Sequence, residues 1–198
     1  LTKRILDGTL ASFGLLVLSP VFLTIAVLAK ATSPGPVFFG QLRTGHNGKA
    51  FRMWKFRTMV KDAEASRHDI AHLNDMVESG PLFKVRNDPR VTRVGRVLRR
   101  LSLDELPQLF NVLNGSMSLV GPRPFVCHEA DQMQGWSRRR LDLVPGITGL
   151  WQVSGRNDVP YEEMIRLDYM YVANWSVWWD LRILLETIPR VLTGRGAS

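Results

Sequence analysis

From Ile5 to Ala29 the chain runs through 25 mostly apolar residues, bracketed by Lys3-Arg4 and Lys30 and broken in the middle by Ser19-Pro20. At about 1.5 Å per residue, a straight helix of this length would exceed the hydrocarbon core of a bilayer, about 30 Å thick. Length therefore permits a full span, but the break argues against one. Pro20 has no N–H to offer the Leu16 carbonyl and its ring crowds that carbonyl, which predicts a kink where the Ser19 hydroxyl can satisfy the freed group. Each half is then too short to cross. Basic residues at both ends favour keeping both ends in the cytoplasm, as a re-entrant helix-break-helix does. A Pro-kinked spanning helix is the alternative. A signal peptide fits less well, because the apolar run exceeds the usual h-region and Ala29-Lys30-Ala31 is a poor cleavage site.

Residues 1–30 are thus expected to form the membrane element and residues 31–198 one domain integrated with it, since no low-complexity linker or internal repeat divides them. Leu1 in place of an initiating methionine suggests a chain trimmed at its start. The net charge of +8 and the pI near 10.2 point to anionic partners: nucleic acid, acidic headgroups or phosphorylated substrates. A lone cysteine, Cys127, excludes an intrachain disulfide framework, fits a reducing compartment, and reads as a small buried hydrophobe.

Residues 37–44 and 49–56 flank His46-Asn47-Gly48, and the Asn-Gly step predicts a basic β-hairpin closed by a tight turn. The stretch from Gly45 to Lys49 is not a P-loop: its glycine spacing is too short, and Ala50 stands where a metal-binding hydroxyl is needed. Residues 60–78 read as a polar helix and residues 79–93 as a loop. That helix carries His68 and His72 four apart, an imitation of a zinc-protease helix that lacks a third ligand beyond Glu64 or Glu78, so a solvated face is the better reading. Further on, Val94, Val97, Leu98 and Leu101 form one helical stripe, leaving Arg96, Arg99 and Arg100 on other faces for an anion or for headgroups.

Ser102-Leu103-Asp104-Glu105 matches a capping box, with Ser102 as N-cap and Glu105 at N3. It is expected to open a helix whose apolar face is Leu106, Leu109, Phe110 and Leu113, with Asp104, Gln108 and Asn111 on the polar side. A carboxylate would then sit beside free backbone N–H groups that also attract phosphate.

Four segments carry a resemblance: Lys55-Phe56-Arg57-Thr58-Met59, the run from Ser102 to Gln108, the run from Met117 to Pro124, and the run from Pro145 to Arg156. In order and spacing they resemble the bacterial sugar transferases, the monotopic phosphoglycosyl transferases, over nearly the whole chain. The resemblance implies transfer of a sugar-1-phosphate from a nucleotide diphosphate sugar, a UDP-hexose, to polyprenyl (undecaprenyl) phosphate, beginning a glycan or exopolysaccharide. It implies a cytoplasmic face of the bacterial inner membrane, membrane lipid as a partner, and no nucleic acid; a homo-oligomer is compatible with it. Asp104 becomes the nucleophile that forms a phosphosugar-aspartyl intermediate and releases UMP. Asp104 and Glu105 become the contacts of a magnesium ion (Mg2+), which suits hard oxygen ligands; the other roles open to Glu105 are to orient Asp104 or to assist in proton handling. Lys55, Arg57, Arg99, Arg123 and Arg156 become phosphate ligands, Gln152 a contact of the donor, and Ser19 and Pro20 the membrane kink.

One departure is Ser116, which stands where the family commonly has aspartate and weakens any site role there. Near the C-terminus Trp175, Trp178 and Trp179 precede a stripe of Leu181, Leu185, Ile188 and Leu192, which fits core packing and membrane contact equally well. The fold class expected is α/β, mainly helical, with a small β-hairpin, a kinked re-entrant membrane helix and interfacial amphipathic helices. The rival readings are a non-enzymatic basic membrane-peripheral binding module and a zinc hydrolase.

Overall fold

The computed structural model describes residues 1–63, 85, 88–155 and 159–193. It is mainly helical with two small sheets. The apolar run forms α1 (Thr2–Val17) and α2 (Ser19–Thr32), bent by 62° at Leu18. Pro20 lies in the first turn of α2, and the Ser19 hydroxyl donates to the Leu16 carbonyl at 2.8 Å, the acceptor that Pro20 leaves without an N–H. Among the described residues no single helix is long and apolar enough to cross a membrane, whereas the bent pair meets that test together.

Lys3 and Arg4, expected as membrane-flanking charges, are engaged by the body of the protein. Lys3 pairs with the buried carboxylate of Asp180, Arg4 donates to the carbonyls of Val112 and Leu113, and buried Asp7 accepts the Leu119 N–H at 3.1 Å. Ala11 completes the contact by packing with Met53, Leu109, Val112 and Met117. The opposite side of the pair is bare: Leu16 is 74% exposed and Leu23 68%.

The hairpin forms as expected, with β1 (Phe38–Thr44) antiparallel to β2 (Ala50–Phe56) and Phe39 opposite Lys55. Asn47 (φ 55°) and Gly48 (φ 77°) take the left-handed conformations that such a turn requires. Of the helix expected over 60–78, residues 61–63 form a turn in which Asp62 is left-handed; the remainder, including Glu64, His68, His72 and Glu78, and most of the loop expected over 79–93, lie outside the described residues.

Helix α3 (Arg93–Arg100) starts at Thr92, whose hydroxyl accepts the Gly95 N–H at 2.9 Å. A Cβ on Gly95 would stand 2.0 Å from the Thr58 carbonyl, so glycine is what lets α3 lie against the end of the hairpin. Beyond α4 (Gln108–Asn114), the short strand β3 (Ser118–Val120) runs parallel to β4 (Gly146–Thr148). Four helices complete the chain: α5 (Cys127–Ala130), α6 (Leu150–Ser154), α7 (Tyr161–Ala173) and α8 (Val177–Thr193). Cys127 is half-buried, not the core residue expected. Val120, Val153, Tyr171 and Ile183 form the core under α8, with Trp179 turned towards it. Its other side is apolar and open, Trp178 being 79% exposed and Leu185 and Ile188 more than half exposed. The described part of the stripe expected on this helix, Trp178, Leu181, Leu185 and Ile188, therefore faces outward and not into the core.

Candidate active site

The acidic pair lies between α3 and α4, and its local structure corrects the capping-box expectation. Ser102 adopts a left-handed conformation (φ 55°) and its side chain caps nothing. Residues Leu103–Glu105 form a single 3-10 turn, and α4 begins only after Pro107. The cause is Pro107, which cannot donate in a continuing helix but fits its start. The expected polar side of α4 is also the buried one. Asn111 accepts the Trp54 N–H (3.0 Å) and donates to the Arg52 carbonyl (2.8 Å), stitching α4 to β2, while Phe110 packs edge-on against Phe22 and Phe38. Ser116 shares this scaffold by donating to Asn114 Oδ1 at 2.7 Å.

Lys55, on β2, reaches across to both carboxylates: Nζ lies 2.7 Å from Glu105 Oε1 and 3.8 Å from Asp104 Oδ2. Asp104 is buried, and burial raises its pKa above the usual aspartate value; Glu105 adds to the rise, while Lys55 and Arg99 oppose it. Arg99 donates from Nε to the Thr58 hydroxyl at 2.9 Å, with Asp104 and Asp88 offsetting part of its desolvation. These groups line one cleft of about 960 Å³, which also takes in Arg43, Arg123, Trp151 and Gln152. The Arg123 guanidinium lies 5.5 Å from the centre of the Trp151 ring. Gln152 donates to the Ile147 carbonyl at 2.9 Å, and its buried Oε1 has no hydrogen-bond partner among the described residues.

Arg57, expected as a phosphate ligand, lines the same cleft, and its buried Nη1 has no hydrogen-bond partner among the described residues. At the cleft margin, its Nη2 donates to the carbonyls of Ser33 (2.5 Å) and Ala29 (3.3 Å), closing the C-terminal end of α2. Just beyond the end of β2 at Phe56, that Nη2 meets carbonyls that the helix leaves unpaired. Arg156 lies outside the described residues.

A family model described as bacterial sugar transferase matches residues 1–194. The chain belongs to the bacterial sugar transferase family. It is 47% identical to the exopolysaccharide production protein ExoY of Rhizobium meliloti, across 100% of the chain and 88% of that protein. It is 45% identical to the undecaprenyl-phosphate galactose phosphotransferase of Salmonella typhimurium, across 98% of the chain and 41% of that protein. With the UDP-glucose:undecaprenyl-phosphate glucose-1-phosphate transferase of Klebsiella pneumoniae the identity is 42%, again across 98% of the chain and 41% of the relative. The chain thus spans less than half the length of these last two relatives.

In this sugar transferase the hairpin contributes more to the cleft than Lys55. Arg43 is half-buried; desolvation and the neighbouring Arg123 bring its pKa down to about 10 against the pull of Glu129. It donates to Gln41 Oε1 (2.6 Å from Nη2) and to the Pro124 carbonyl (3.2 Å). Strand alternation was the available signal: Phe39, Gln41 and Arg43 share a face, and Phe39 is opposite Lys55.

A magnesium ion fits the donor set of the acidic turn. Among the described residues no cluster of three or more His, Cys, Asp or Glu side chains exists, and Asp104 and Glu105 supply two adjacent carboxylates at the cleft. Magnesium characteristically takes one or two carboxylates and completes its shell with water and substrate phosphate.

Proposed function

We propose that this sugar transferase moves a sugar-1-phosphate from a UDP-hexose to undecaprenyl phosphate, beginning an exopolysaccharide or related glycan. The supporting observation is the juxtaposition of a buried carboxylate, Asp104, with Lys55 and Arg99 in a cleft whose neighbouring helices expose apolar faces. The named activities of the Salmonella and Klebsiella relatives point the same way.

In the first step an Asp104 carboxylate oxygen attacks the β-phosphorus of the donor. The bond from that phosphorus to the bridging oxygen breaks, UMP leaves with the electron pair, and a phosphosugar-aspartyl ester remains. In the second step a phosphate oxygen of the lipid acceptor attacks the same phosphorus and the Asp104 carboxylate is restored. Lys55, Arg99 and Arg123 hold the phosphoryl oxygens; Arg43 extends this cationic wall, and Gln152 meets the donor through its unpartnered carbonyl. Lys55 also favours the ionised form of Asp104, opposing part of the effect of burial. Asp104 and Glu105 would hold a magnesium ion, which would supply charge neutralisation on the diphosphate. The helix pair α1–α2 enters and leaves the cytoplasmic face of the inner membrane as a re-entrant wedge, and α8 lies at the headgroups through Trp178 and Leu185.

The test supplies UDP-glucose or UDP-galactose with undecaprenyl phosphate and magnesium and follows UMP. Asp104→Asn is expected to lower release on the order of a thousandfold or more. Undiminished turnover by that variant overturns the covalent route, and no release by the wild type overturns the transfer itself.

A further inference from the structure

Arg123 stands on neither a helix nor a strand. It belongs to an extended segment, residues 121–125, in which carbonyl after carbonyl is taken by a donor from elsewhere in the fold. Pro122 O accepts from Gly146 N (3.0 Å), Pro124 O from Arg43 Nη1 (3.2 Å) and Phe125 O from Thr44 N (2.8 Å). The donor to Arg123 O is a second guanidinium, Nη2 of Arg140 at 2.7 Å, and this one is only 2% exposed.

The same Nη2 donates to Asp168 on α7, which is 1% exposed. Asp168 thus holds the same guanidinium nitrogen that grips the Arg123 carbonyl. The Arg140 guanidinium lies 3.8 Å from the centre of the Phe125 ring, which fixes its plane. Neither Arg140 nor Asp168 lines the cleft.

Desolvating two charges offsets much of what their attraction gains, and well-packed apolar residues of similar volume often serve stability as well or better. Here the satisfaction is incomplete, because Arg140 Nε and Asp168 Oδ1 have no hydrogen-bond partner among the described residues. Stability alone is a poor reason for such a pair. What it provides that an apolar pair would not is a directed grip on the backbone of Arg123, whose own guanidinium is steered across Trp151.

We propose that Arg140 and Asp168 are positioning residues that hold Arg123 at the phosphates of the nucleotide-sugar donor. This rests on the reading of Arg123 as a phosphate ligand. The geometry divides the labour: Arg123 touches the donor, and the buried pair fixes where it stands.

The decisive comparison uses the full chain in lipid nanodiscs as wild type, Arg123→Ala, the charge-free double variant Arg140→Met with Asp168→Leu, and the triple variant. Folding is checked by circular dichroism and thermal midpoint, donor KM and kcat with UDP-glucose and UDP-galactose, and UDP affinity by calorimetry. The expected result is a folded double variant whose donor KM and UDP Kd rise about tenfold, as they do for Arg123→Ala, with no further rise in the triple variant. A double variant with wild-type KM and Kd overturns the proposal, and so does a triple variant whose loss equals the product of the other two. If the double variant fails to fold, Asp168→Asn and its combination with Arg123→Ala carry the same comparison. Wild-type behaviour of Arg123→Ala removes the phosphate role and this inference with it. Absence of UMP release from the wild type removes only the transfer reading, because the UDP titrations still decide the pair.

Discussion

Helices α1 and α2 are built from one apolar run, yet they are held in opposite ways. Helix α1 carries Lys3, Arg4 and Asp7, and each of them meets a polar group on the body of the protein. Helix α2 is apolar up to Lys30; it seats Ile25 against Phe56 and Leu98 and is tied at its far end by Arg57. Composition alone would make both halves anchors. The difference shows that the first half is a docked helix with one outward side, and that the break at Leu18 joins an element held by polar contacts to one held by apolar packing, whose outward residues include Leu23 and Val27.

The largest effect that would break this contrast is at Lys3. Lys3→Met leaves the Asp180 carboxylate buried without its cation, with Tyr171 and Trp175 as its remaining donors, and is expected to cost about 3 kcal/mol in chemical denaturation. In α2, Leu23→Ala removes only outward surface and is expected to leave folding unchanged while lowering recovery with membranes. Next comes Arg57→Met, which withdraws charged hydrogen bonds from the end of α2 and is expected to cost about 2 kcal/mol with donor KM unchanged. Lys55→Met, two residues away, is expected to raise donor KM instead, and a matching rise in the Arg57 variant would return Arg57 to the phosphates. Ser19→Ala is expected to cost about 1 kcal/mol, while an N-terminal label stays accessible from the same side as one on the catalytic domain. A periplasmic N-terminus would replace the re-entrant wedge with a kinked span.

A smaller effect concerns pH. Burial raises the Asp168 pKa from 3.8 to about 6 despite Arg140 beside it. A carboxyl whose pKa is higher folded than unfolded contributes stability fully below the unfolded value and loses that contribution as pH rises through the folded one. The thermal midpoint of the wild type relative to Asp168→Asn is therefore expected to be highest near pH 4 and to decline until slightly above pH 6.

Much of this was legible because it is local. Pro20 names the carbonyl it abandons and Ser19 is the nearest hydroxyl; Asn47-Gly48 fixes the hairpin register; Asp104 and Glu105 are adjacent by covalent bond. The α8 stripe was legible as a stripe, while its direction was not, since periodicity says which residues share a face and nothing of what the face meets. The same limit hid Asn111, whose polar side chain is buried because β2 offers it an N–H and a carbonyl. Ser102 misled because a capping box needs a helix that starts there, and Pro107 starts it later. Arg43 was passed over although strand alternation places it on the face of Phe39, which is opposite Lys55.

The Lys3–Asp180 ion pair closes a loop over 177 residues of chain. At a synthesis rate of roughly 5–20 residues per second, α1 leaves the ribosome on the order of ten seconds or more before the partner that neutralises its lysine exists. Helix α1, made before α8, therefore waits for α8 before its lysine has the carboxylate that neutralises it.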